Sequence, residues 1–383
     1  MNMNITIAID SFKGSLSSME AGQAVAEGIR RVMPSAEIRI RPLADGGEGT
    51  TEALTAGLGG ELKSLTVTGP LGRPVTASYG LIRERKMAVL EMASAAGLTL
   101  ISQEERNPLE ATTYGVGEMI RDAIGEGCRH FLVGIGGSAT NDGGTGMLSA
   151  LGFQFLDSEG HPIPLGAKGL ENLARISTEN ARPELSQCSF HIACDVTNPL
   201  CGENGCSAVY GPQKGADPEM IRQMDQWMER YGDLAARTFP AADKEAPGAG
   251  AAGGLGFAFL TFLNGSLESG VGMVLKEINL KDDIRDADLV ITGEGRLDAQ
   301  TVMGKAPIGV AHLAKEYGKP VIAFSGAVTR EAGLCNQHGI DAFFPIMRGV
   351  VSLQEALDPG EARINAADTA EQVFRLIQLK LSC

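Results

Sequence analysis

Five short segments place carboxylates beside glycine, hydroxyl or basic residues: Asp10-Ser-Phe-Lys13, Asp45-Gly-Gly-Glu-Gly49, Gly136-Gly-Ser-Ala-Thr-Asn-Asp-Gly-Gly144, Cys194-Asp-Val-Thr-Asn198 and Gly293-Glu-Gly-Arg-Leu-Asp298. The loop Gly211-Pro-Gln-Lys-Gly215 adds a further lysine. Phosphoryl transfer from a nucleotide to an alcohol uses this inventory. Backbone N–H groups with Lys or Arg hold phosphates. Carboxylates hold Mg²⁺, and one carboxylate takes the proton of the attacking hydroxyl. Any one such loop could equally be an ordinary turn with an Asx contact. Together, at strand ends of an α/β chain, they point to a shared site.

Residue type and position at strand ends assign the roles. Asp195 is the expected general base, with Asp45 as the rival, and Lys13 meets an anion at the first strand end. Asp10, Ser11, Asn198 and Arg296 are the expected substrate contacts. Gly136, Gly137 and Ser138 face the nucleotide phosphates, with Asn141 and Asp142 beside them and Lys214 neutralising the transferred group. Glu294 and Asp298 are the expected Mg²⁺ holders.

Competing chemistry is limited. There is no G-x₄-G-K-[ST], no H-R-D or D-F-G set and no G-x-S-x-G elbow. Gly134-Ile-Gly-Gly-Ser-Ala139 after an apolar run, with Asp157 further on, is the best case for an NAD-dependent oxidoreductase. Against it, the helix does not open directly after the motif. A non-catalytic nucleotide-binding protein is the third class. The histidines 130, 161, 191, 312 and 338 are scattered and read as surface or helix-end residues.

These loops need elements to position them. Ile5–Ile9 reads as a strand, and Ser17 with Glu20 forms a capping box for a helix that stops before Pro34. Glu37–Arg41 is a second strand, followed by a short helix at Thr50–Gly57. A strand over Ala287–Thr292, a helix over Pro307–Tyr317, a strand over Pro320–Phe324, Phe343–Pro345 and a last helix over roughly 361–380 close the chain. This alternation predicts a parallel sheet. Between the ends, residues 61–95 read as hairpin strands. A helix near 112–124, a strand at His130–Ile135, a helix at 145–151 and a strand at Phe190–Asp195 follow. Residues 210–285 read as mostly helical. The expected layout is two α/β domains. Residues 1–61 and 286–383 form a Rossmann- or flavodoxin-like domain, 62–285 form an inserted mixed α/β domain, and the site lies in the cleft.

The 383 residues include 50 Gly and 43% hydrophobics, which excludes a disordered chain. The formal charge of −14 opposes nucleic acid and anionic lipid surfaces but not a small anion held locally. Seven cysteines, at 128, 188, 194, 201, 206, 335 and 383, show no framework spacing and read as reduced thiols of a cytoplasmic protein. Cys201 and Cys206 lack the second pair that a zinc site needs. The N-terminus lacks the basic n-region of a signal peptide. The uncharged stretch Ala246–Leu267, with six glycines, reads as a buried helix behind a glycine loop rather than a membrane span.

Longer motifs carry a resemblance. Asp10-Ser-Phe-Lys, Ala44-Asp-Gly-Gly-Glu-Gly-Thr50, Val67-Thr-Gly-Pro-Leu-Gly72, Ile135-Gly-Gly-Ser-Ala-Thr-Asn-Asp-Gly-Gly144, Ala193-Cys-Asp-Val-Thr-Asn-Pro-Leu200, Gly211-Pro-Gln-Lys-Gly215, Pro247-Gly-Ala-Gly-Ala-Ala-Gly-Gly254 and Ile291-Thr-Gly-Glu-Gly-Arg296 resemble, in order, the bacterial type I glycerate kinases. Departures include Ile9 before Asp10, Gly14, Cys206 and Ser325-Gly-Ala327. The resemblance implies phosphorylation of glycerate by ATP, giving 2-phosphoglycerate, in a two-domain α/β fold with its site between the domains. It also implies a small-molecule substrate, glycerate; the expected partners include no nucleic acid and no membrane, and a homodimer is possible.

Overall fold

The structure, a computed structural model, describes residues 3–379. Met1, Asn2 and residues 380–383, Cys383 among them, lie outside the described residues. The strands, in chain order, are β1 Asn4–Ile9, β2 Glu37–Ile40, β3 Glu61–Thr68, β4 Pro74–Ile82, β5 Met87–Glu91, β6 His130–Gly134, β7 Gln154–Leu156, β8 Arg175–Ser177, β9 Ser189–Ala193, β10 Ser266–Glu268, β11 Leu289–Leu297, β12 Val321–Val328 and β13 Ala342–Pro345. The chain divides into two compact units.

The first unit takes the chain up to Asp45, Glu52–Leu58 and everything from Val271 onward. Its sheet is wholly parallel, in the order β13-β12-β11-β1-β2. Counted along the unit, that is 2-1-3-4-5 read from the other edge, the flavodoxin-like order, whose switch point lies between β1 and β11. Ile5, Ile7 and Ile9 alternate into a core shared with Val25, Ile29, Ile291 and Phe324. The helix Ser18–Val32 starts at the Ser17–Glu20 capping box, as expected, and ends before Pro34. It packs so tightly on the helix Pro359–Ile377 that a Cβ at Gly28 would stand 1.9 Å from the Ala367 carbonyl oxygen.

The second unit comprises Gly46–Thr51 and Gly59–Gly270. Its sheet runs β10-β9-β6-β5-β4-β3. The first four strands are mutually parallel, and β4 and β3 turn back antiparallel as the expected hairpins. Phe131 and Phe190 stack at 4.8 Å in its core, and Tyr231 packs edge-on against Phe155 and Phe257. The uncharged stretch forms the largely buried helix Ala251–Phe262 behind its glycines. Among the described residues no helix is long and apolar enough to cross a membrane.

The unit bounds differ from those expected near 61 and 285. The helix Leu280–Asp286 goes with the first unit, where its buried Asp283 pairs with Arg41, just after β2, and at 3.3 Å with Arg39 in β2. The loop after Asp45 goes with the second unit, where the Thr51 N–H donates to Glu91 at 2.7 Å. The segment Gly293–Leu297, expected as a loop, continues β11. It pairs with β12 through Glu294↔Ser325 and Arg296↔Ala327. Parallel pairing on an existing neighbour outweighs the low strand preference of its two glycines.

Candidate active site

In the first unit, a cavity of about 430 Å³ opens over the carboxyl ends of β1, β11 and β12, at the switch point. Asp10, Ser11 and Lys13 reach it from the turn after β1, and Asp45 from the end of the unit's first segment. Glu294 and Arg296 share one face of β11 because strand side chains alternate, and Asp298 follows. Four carboxylates and three cations thus line one space. The third cation, Lys305, is absent from the sequence reading. It precedes the helix Ala306–Glu316, whose start Pro307 marks.

The contacts order this set. Lys305 Nζ lies 3.3 Å from Glu294 Oε2 and 4.0 Å from Asp298 Oδ1. Thr301 donates to Glu294 Oε1 at 2.7 Å, and Gln300 N–H to Asp298 Oδ1 at 2.9 Å. Burial raises the Glu294 carboxyl above its usual range, against the pull of Thr301 and Lys305. Arg296 lies 3.5 Å from Asp298 Oδ2 and is largely exposed. Lys13 is exposed as well, 3.8 Å from Asp45.

Asp10 is 6% exposed and accepts the Ser11 N–H at 2.7 Å. Burial, then the Asp45 carboxylate and more weakly Glu294, push it up to about 7, while Ser11 N–H and Lys13 oppose. Its folded-state pKa is raised, so the native chain holds this proton more tightly than the unfolded chain does. Ionising Asp10 therefore costs stability progressively as pH rises from about 4 to about 7. Asp10→Asn is expected to melt higher than the parent at pH 8, with the gap closing toward pH 5. Thermal unfolding of the ligand-free protein at both values checks this, and equal melting at pH 8 refutes it.

In the second unit, the carboxyl ends of β5, β6 and β9 carry Glu91, the Gly136-Gly137 turn and Asp195. Gly136 and Gly137 are exposed. Asp195 is also exposed and accepts the Gly270 N–H at 3.1 Å; the buried strand expected beneath it ends two residues earlier, at Ala193. Asn198 is committed to its own loop, donating to the Asn204 carbonyl at 2.9 Å and accepting from Tyr210 at 2.6 Å. Its amide holds that turn in shape.

Four expected phosphate ligands are buried, Ser138 at 7% exposure and three others deeper. Lys214 is 1% exposed and donates to Ser138 Oγ at 2.9 Å and the Thr140 carbonyl at 2.6 Å; burial pulls its ammonium down to about 8. Asn141 is fully buried and donates to Ser207. Asp142 is fully buried and accepts from Thr113 N–H at 2.8 Å, Thr113 Oγ1 at 2.9 Å, Gly144 N–H at 3.0 Å and Gly146 N–H at 3.2 Å. It latches the start of the helix Thr145–Ala150 to Thr113 from a fully buried position. The glycines around it serve packing: a Cβ at Gly143 would stand 2.7 Å from the Tyr231 ring, and one at Gly144 2.4 Å from the Ala258 Cβ. Asp142→Asn sets an NH₂ against backbone donors and should cost about 3 kcal/mol of stability. Urea unfolding measures this, and a loss below about 1 kcal/mol contradicts the latch.

The dinucleotide reading fails on topology. After β6, the next strand is not a parallel neighbour of β6. It is β7, in a separate antiparallel pair with β8. Asp157 accepts the Glu159 and His161 N–H groups at 2.9 Å and closes a turn, which holds its carboxyl below the usual range.

The comparisons agree with the α/β architecture. A glycerate kinase of Haemophilus influenzae is 47% identical over 99% of this chain and 100% of its own length. A glycerate 2-kinase of Escherichia coli is 47% identical over 92% of this chain and 93% of its own. A crystal structure described as glycerate kinase 2 from Salmonella typhimurium LT2 superposes with a TM-score of 0.92 at 46% identity, covering 99% of both chains. The profile described as "Glycerate kinase family" matches residues 5–378, and the chain belongs to that family.

Proposed function

We propose that this enzyme transfers the γ-phosphoryl group of ATP to glycerate, giving ADP and 2-phosphoglycerate. The observation that carries the reading is the cavity at the carboxyl ends of β1, β11 and β12, where Lys13, Arg296 and Lys305 meet four carboxylates. Names of relatives supply glycerate, and one of them the 2-position. The three cations would hold the phosphates and meet the charge that develops on the transferred group.

Magnesium fits the donor set. The residues lining the cavity include four carboxylates and the hydroxyls of Ser11 and Ser15, oxygen donors that suit a hard cation. Among the described residues no three His, Cys, Asp or Glu side chains cluster as a metal cage. One or two carboxylates completed by phosphate oxygens is the usual arrangement for this ion. Glu294 and Asp298 would hold it, and it would neutralise phosphate charge when bound. The glycerate hydroxyl oxygen attacks the γ-phosphorus, the bond to the β–γ bridging oxygen breaks, and a carboxylate takes the hydroxyl proton, Asp195 being the proposed base and Asp45 its rival. Gly136 and Gly137, exposed at the same strand edge of the second unit, offer backbone donors to an anion.

The test is ADP release with ATP, magnesium and glycerate, with lactate and tartrate as controls. The product is then given to enolase without a mutase. Phosphoenolpyruvate formation is expected. ADP release without phosphoenolpyruvate overturns the 2-position, and no glycerate-dependent ADP release overturns the activity.

A further inference from the structure

The cavity of the first unit has two unlike walls. One carries Lys13, Arg296 and Lys305 with their carboxylates. The other is apolar, built from Phe12, Ile346, Met347, Leu353, Ala356 and Leu357. Phe12 and Ile346 are buried core residues. Leu353 and Leu357 are not. Leu353 opens the four-residue helix Leu353–Ala356 and Leu357 follows its end; they stay 75% and 37% exposed, although both border the cavity. The capping box of Ser352 with Glu355 closes the first turn of that helix. Leu357 also lies near the turn after β1, where a Cβ at Gly14 would stand 3.8 Å from its methyl group.

A space of about 430 Å³ is far more than a three-carbon acid fills and matches sites that enclose ligands of nucleotide size. A ligand that satisfies both walls is flat and apolar at one end and polyanionic at the other. The carboxyl-end crevice at the switch point of a doubly wound sheet is also where such ligands bind. Glycerate has no apolar end, and inorganic phosphate would leave the leucines bare.

We propose that the apolar wall of Leu353, Leu357 and Met347 seats the base and ribose of the purine nucleotide donor, with its phosphates toward Lys13, Lys305 and Arg296. The seat is thus in the first unit, not on the Gly136–Ser138 loop, whose expected partners Asp142 and Lys214 are buried. The proposal rests on the kinase reading above and gives it a donor site.

The experiment compares the parent with the double variant Leu353→Asn, Leu357→Asn; both positions are exposed enough for the change to spare folding, which circular dichroism verifies. Calorimetry measures MgADP and, separately, magnesium tripolyphosphate. The expected result is MgADP weakened about tenfold in the variant, from the apolar area lost, with tripolyphosphate unchanged. Unchanged MgADP affinity, or equal weakening of both probes, overturns the seat. ADP release by the parent with glycerate is recorded alongside. Its absence defeats the kinase reading, whereas its presence with an indifferent double variant defeats the seat alone.

Discussion

Lys305→Met should lower kcat/KM for glycerate phosphorylation by about 10²- to 10³-fold, the usual cost of removing one preorganised charge at a developing anion. Lys305 is the cation that bridges Glu294 and Asp298 on the cavity floor. Without it, Glu294 loses its ion pair and the incoming phosphates lose one of the cavity's three cations, with Arg296 left beside Asp298. The loss should fall on kcat and on MgATP binding together, because the ammonium serves bound and transferring phosphates alike. Lys305→Arg should recover part of the activity, since it restores charge but not the compact point donor. Thermal melts guard against a folding defect. Steady-state ADP release within threefold of the parent would remove Lys305 from the site.

Asp195→Asn should lower kcat by about 10²- to 10⁴-fold while leaving MgADP affinity unchanged. The substitution keeps shape and one acceptor, so the Gly270 N–H keeps its 3.1 Å partner and the loop has no reason to move. Only the ability to take a proton is lost. Asp45→Asn, made in parallel, tests the rival. If Asp195→Asn turns over normally and Asp45→Asn does not, the proton acceptor is Asp45.

Local signals in the sequence were legible, and non-local ones were not. Ser17 with Glu20 and the helix Thr50–Gly57 depend on residues three or four apart, and both appear as read. The acid and base side chains after β1 and β11 were also legible, because strand-end carboxylates stand out against apolar runs. Their roles were harder. Lys214 and Asp142 read as phosphate ligands in the sequence, and only their distant partners, Ser138 and Thr140 for the one and Thr113 for the other, reveal them as interior groups. Lys305 lay outside every carboxylate loop. The place where it would have shown was the start of the Pro307 helix, a boundary that brings a side chain back to the sheet edge. The continuation of β11 through two glycines was set by β12, some thirty residues later in the chain. The motif resemblance reached the family without any of these details.

The tight seat of Gly28 under Ala367 ties an early helix to the last one, and β1 lies beside a strand 284 residues downstream. On the ribosome this becomes a matter of timing. At about 5–20 residues per second, the first strand would wait roughly 15–55 s for its central neighbour, while Gly59–Gly270 emerges complete and free to fold. Nascent β1 and the helix after it thus face a long interval with their apolar faces uncovered. Chains stalled before β11 should carry a folded second unit and an unprotected N-terminal segment, which makes that segment a natural client for chaperones and an early target for proteases.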